Sequence, residues 1–123
     1  MVATELFFVE IRTHDRAALA AWYVEALGLS TLLEDPVGDF SLLGAGPTRL
    51  GIKGGRPEAA SGSIGLAFRV VDLESECRRL TGLGVAISRP EVSPEGYRSV
   101  RLADPVGHPI QLFEWIVAPP AEV

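Results

Sequence analysis

The sequence predicts an α+β fold made of two copies of one β-α-β-β-β unit. Three observations predict it. Two segments of the chain repeat a single pattern, "FVEIRTHDRAALAAWYVEALGL" (Phe8 to Leu29) and "GLAFRVVDLESECRRLTGLGV" (Gly65 to Val85). In each, an alternating apolar stretch leads to an Asp, a helical pattern and a Leu-Gly-apolar stop. The two copies also continue alike: an aromatic at the start of a strand (Phe40, Tyr97), a Gly/Pro turn, and a further strand (Arg49 to Ile52, Ile110 to Phe113). A period this long marks a duplicated supersecondary unit.

Each element has its own warrant. Phe7, Val9 and Ile11 alternate with Phe8, Glu10 and Arg12, as in a strand with one buried face. Leu66, Phe68 and Val70 alternate in the same way in the second copy. Asp15 and Asp72, 57 residues apart, stand where helix N-caps are wanted. Leu19, Trp22, Tyr23 and Ala26 make one apolar stripe on the first helix. Leu73, Cys77 and Leu80 make the stripe on the second, with Glu74 and Arg78 as an exposed i,i+4 pair. Gly28 and Gly84 break the helices before the next strands. "GGRPEAASGS", rich in turn formers, predicts a linker over 54–62 between module 1 (5–53) and module 2 (63–116), within one domain spanning 1–123.

Composition bounds the function. With 123 residues, 47% hydrophobic and 22% charged, the chain suits one globular domain. A net charge of −5 argues against a nucleic-acid partner, since phosphate binding needs a basic face. The single cysteine, Cys77, allows no internal disulfide, and no apolar run reaches the roughly 20 residues of a membrane span. A cytoplasmic protein without a membrane partner is expected.

Asp15 followed by "WYVEALGL", then "FRVVDLESECRRL", then "DPVGHPIQL" resembles the glyoxalase/bleomycin-resistance/extradiol-dioxygenase superfamily, the vicinal oxygen chelate proteins, over residues 5–116. The resemblance implies two βαβββ modules whose strands form a curved, open mixed sheet around a cleft, with helices on the outer face. It also implies a homodimer.

Enzymes of that superfamily hold a divalent metal on inward-facing strand positions. One lies seven residues before the first-helix Asp; here it is Phe8. A second lies seven before the second Asp; here it is Gly65. A third comes after the DPxG turn, and here it is Gln111. A fourth falls at Arg49 or Gly51. None is a His or a carboxylate, and a catalytic metal needs about three protein ligands, mostly anionic or imidazole. No metal and no cofactor are therefore expected. His14 and His108 read as structural residues, His108 as an exposed one, and Cys77 as an inert core residue.

By alternation the cleft wall carries Phe8, Glu10, Gly65, Ala67, Arg69, Ser99, Arg101, Gln111 and Phe113. A partly apolar wall with a few polar groups suits a small molecule. The bland alternative is that Glu10 and the arginines pair with each other in a wet cleft. The favoured function is a metal-free small-molecule binding protein of the bleomycin-resistance type, sequestering a drug or metabolite in a dimer cleft. Two alternatives stand beside it: a metal-dependent lyase, isomerase or dioxygenase, and a non-metal enzyme using Glu10 or another carboxylate as base.

Overall fold

The computed structural model describes residues 5–56 and 64–117. The chain divides into two compact units, Met1–Ala60 and Ser61–Val123. In the first, β1 (Val9–Thr13), α1 (Arg16–Leu27), β2 (Ser30–Asp35), β3 (Phe40–Ala45) and β4 (Thr48–Gly54) build a four-stranded sheet of order β1-β4-β3-β2. In the second, β5 (Leu66–Arg69), α2 (Leu73–Gly82), β6 (Glu91–Val92), β7 (Tyr97–Ala103) and β8 (Pro109–Trp115) build a sheet of order β5-β8-β7-β6. In both, the first strand runs parallel to the last and the remaining pairs are antiparallel. The βαβββ repeat read from the sequence is the repeat of the fold. The expected linker lies mostly outside the described residues, apart from Gly54, which ends β4, and the two residues after it.

The helix caps work as their residue types require. Asp15 accepts the Ala18 N–H at 3.0 Å and Asp72 accepts the Ser75 N–H at 3.1 Å. Each satisfies a backbone donor that the first helical turn leaves unpaired. Gly28 closes α1 in the left-handed region (φ 71°), where a side chain would be strained, and its N–H reaches the Tyr23 and Val24 carbonyls.

Each sheet packs one face on its own helix. In the first unit Leu19, Ala20, Tyr23 and Ala26 of α1 are buried, as are Leu43, Leu50 and Ile52 of the strands beneath. In the second, Leu73 and Leu80 of α2 are buried, together with Val100, Leu102, Ile110 and Leu112. Burial of each large aliphatic side chain is worth about 1.5–3 kcal/mol. Trp22 sits at the rim of its stripe, edge-on to Tyr23 at 5.1 Å. Glu74 and Arg78 form the exposed pair at 2.9 Å.

Two local expectations are corrected. Phe7 does not share a buried face with Val9 and Ile11: it is 52% exposed. The ladder begins only at Val9 opposite Leu50, and Phe7 instead carries the Arg49 guanidinium 4.1 Å above its ring. His108 is half-buried rather than exposed, because its Nδ1 lies 2.6 Å from the fully enclosed Asp104 carboxylate.

Candidate functional site

Strand register assembles the second unit's face. Cross-strand partners in a pleated sheet project to the same side, with Cβ atoms about 5 Å apart. Ala67 faces Gln111, which faces Arg101, and Arg69 faces Phe113, which faces Ser99. These two rows bring six of the nine expected residues onto one face. The opposite face holds Val100, Leu102, Ile110 and Leu112, the side occupied by the core. Gly65 lies one residue ahead of β5 and takes no part in the ladder. Phe8 and Glu10 belong to the first unit, where Glu10 faces Gly51 and the Phe8 ring lies beside the same glycine.

A third row extends the second unit's face, and the expected wall did not include it. Tyr97 faces Trp115. With Phe113 they form a cluster in which every pair meets steeply: Tyr97–Phe113 at 5.5 Å, Tyr97–Trp115 at 5.7 Å and Phe113–Trp115 at 5.5 Å between centroids. All three are half-buried. Edge-to-face contacts suit the ring quadrupoles and leave ring surface available. The signal that could have found them is the period of two: Trp115 comes after Gln111 and Phe113, and Tyr97 precedes Ser99 and Arg101.

Two of the three charges on these faces have identifiable partners. Glu10 meets Arg12 at 3.5 Å. Arg101 meets Glu91 at 3.3 Å, with both side chains about two-thirds exposed, so solvent and salt weaken that pair. Arg69 is exposed and has no hydrogen-bond or ion-pair partner among the described residues. Gln111 is half-buried between Ala67 and Arg101.

A divalent metal does not fit these residues. Of the positions that the superfamily uses, only Gln111 offers an oxygen donor, and one neutral amide does not hold such an ion against water. Arg49 is a cation engaged with Phe7 and its carbonyl. Glu114, adjacent in sequence to the expected wall, accepts the Leu73 N–H at 2.8 Å and so belongs to the α2 end. Among the described residues no group of three His, Cys, Asp or Glu side chains could hold a metal ion.

Three further polar groups lie apart from the expected wall. Arg16, buried at the start of α1, donates to Ser41 Oγ (2.6 Å), to both Glu34 carboxylate oxygens (3.2 and 3.1 Å) and to Asp39 (3.0 Å). The Asp39 hydrogen bond leads in holding the guanidinium above its ordinary range, and the Ser41 hydroxyl and then Arg16 hold Glu34 below the usual carboxylate range. Asp104 Oδ1 accepts the N–H groups of Val106, Gly107 and His108, so the Asp104–His108 contact closes the β7–β8 turn. Burial, and then the Glu76 carboxylate, push the Cys77 thiol up, away from a reactive thiolate.

The fold has many relatives among solved structures. TnmS3, an antibiotic binding protein from Streptomyces sp. CB03234, is 27% identical with a TM-score of 0.79, over 94% of this chain and 98% of that one. TioX from Micromonospora sp. ML1 is 22% identical with a TM-score of 0.73, over 91% and 99%. Lactoylglutathione lyase from Agrobacterium tumefaciens is 21% identical with a TM-score of 0.70, over 90% and 93%. No curated protein matches the sequence. A model of the glyoxalase-like domain matches residues 8–113, almost the whole repeat, and the chain therefore belongs to the glyoxalase-like domain family.

Proposed function

We propose that the protein is a metal-free small-molecule binding protein, active as a cytoplasmic homodimer, that sequesters a drug or metabolite rather than transforming it. The observation that carries this reading is the second unit's helix-free face. It joins a three-ring aromatic cluster to an amide and two arginines. Rings supply affinity by burying apolar ligand surface, and a few polar groups orient the ligand. Sequestration asks for nothing more. A lyase or dioxygenase of this family would need metal donors, which the superfamily's positions lack here. A base mechanism would need a carboxylate presented to substrate, whereas Glu10 is ion-paired with Arg12 on its own strand. The likeness to TnmS3 supports the same reading.

The test is a thermal-shift screen of aromatic antibiotics, run with and without chelator. A saturating ligand is expected to raise Tm by about 5 °C or more, unchanged by chelator. Lyase or ring-cleavage turnover appearing with Ni²⁺, Zn²⁺, Mn²⁺ or Fe²⁺, at about one ion bound per chain, would replace this reading with the metal-enzyme one.

A further inference from the structure

Building on that reading, we infer that the ligand is an aromatic acid: a flat ring system with a carboxylate or similar anionic substituent at one end. The face is divided along the strands. At one end stand Tyr97 and Trp115, with Phe113 in the next row. At the other end stand Gln111 and Arg101, and Arg69 flanks Phe113 on the far side. Rows that share a face are two residues apart, about 7 Å, which is the span of a fused two-ring system. A ring lying against the aromatic cluster therefore brings a terminal substituent to the amide and the guanidinium groups.

The charges set the sign of that substituent. Arg69 has no partner among the described residues, so an anion there displaces no ion pair with any of them. Arg101 is tied to Glu91 only through one exposed contact at 3.3 Å. Its remaining donors present the planar fork that pairs with a carboxylate. Gln111 adds an amide N–H donor. Ala67, beside Gln111 on the parallel strand, is small and leaves room at the charged end. A cationic ligand would meet two guanidinium groups against the single carboxylate of Glu91.

The probes are three isosteres: 2-naphthoate, 2-naphthamide and protonated 2-naphthylmethylamine, titrated by calorimetry into the wild type and into the exposed variants Arg69→Gln and Arg101→Gln. The acid is expected to bind about tenfold tighter than the amide, and the ammonium weakest. The Arg69→Gln and Arg101→Gln variants are each expected to reduce the acid's advantage severalfold while leaving the amide unchanged, and salt to weaken only the acid. Equal binding of acid and amide, or tighter binding of the ammonium, overturns the acidic class and leaves the binding-protein reading intact. Absence of binding by all three up to millimolar concentration overturns the inference; if the antibiotic screen also fails, the binding-protein reading falls with it. Should Trp115→Glu convert a dimer to monomers while no probe binds, the face belongs to a second copy of the chain, and the inference is likewise overturned.

Discussion

The two units share one ladder and fill it differently. Glu10–Gly51–Leu42 in the first answers Ala67–Gln111–Arg101 in the second, and Arg12–Lys53–Phe40 answers Arg69–Phe113–Ser99. At the centre of the first face is a glycine covered by rings. A Cβ added at Gly51 would stand 3.0 Å from a ring carbon of Phe40 and 3.0 Å from one of Phe8, and the two rings are 5.8 Å apart. At the centre of the second is Gln111, flanked by an alanine. Identical backbone topology therefore yields one face that closes on itself and one that presents polar and aromatic groups outward. Side-chain volume at the central residue, not strand order, makes that difference.

Exchanging the central residues should break the comparison most severely. Gly51→Gln forces a buried amide under two phenyl rings and is expected to cost about 3 kcal/mol. Gln111→Gly removes a half-buried side chain from a strand and is expected to cost about 1 kcal/mol or less. Urea unfolding of the two variants measures both. Equal costs would mean that the first unit's rings move aside freely and that its face is not closed.

This exchange also shows what the sequence could reveal. The repeat is in step at 57 residues from Asp15 to Asp72 but at 60 from Gly51 to Gln111. One of the three extra residues lies in the β7–β8 turn, since Leu42 to Gly51 is nine residues and Arg101 to Gln111 is ten; the other two lie between β5 and Ser99. Strand alternation and capping residues are local signals, so β1, α1, β5 and α2 could be read directly. The register of the last strand depends on a turn whose geometry is fixed by Asp104 gathering three N–H groups, which no periodicity announces. Alternation alone therefore leaves the first unit's matching position open between Arg49 and Gly51, and the ladder decides for Gly51, opposite Glu10. The Arg16 cluster was hidden for a related reason. Its members come from α1, β2, β3 and the turn between those strands, and a lone Arg at a helix start reads as solvated.

That cluster is the second point of contrast, since the two helices are anchored by opposite means. α1 sends a buried cation into acceptors of β2, β3 and their turn, whereas the start of α2 receives a carboxylate from β8. Arg16→Met is expected to cost about 2 kcal/mol at neutral pH, less than for a wholly enclosed pair because the two carboxylates are half-exposed and regain water. The effect should depend on pH. Glu34 is held below the ordinary carboxylate range in the folded protein, so its contribution is present above that range and is lost as pH falls through the lowered value. The gap between wild type and Arg16→Met should therefore narrow on acidification from about pH 7 to about pH 3. A gap that stays constant across that range would mean that Arg16 acts through packing alone.

At α2 the anchor is weaker and separable into hydrogen bond and charge. Glu114 accepts the Leu73 N–H at 2.8 Å, at the helix end where Asp72 already caps Ser75. Glu114→Ala removes both contributions and is expected to cost about 1 kcal/mol. Glu114→Gln keeps an acceptor oxygen and loses only the charge at the positive end of the helix, so about 0.5 kcal/mol is expected. Amide exchange at Leu73 separates the two cases: fast in Glu114→Ala, near wild type in Glu114→Gln. If the glutamine variant exchanges as fast as the alanine one, the carboxylate holds α2 by its charge. The two helices would then be fixed by the same electrostatic means with the signs exchanged, and the contrast between the units would narrow to their open faces.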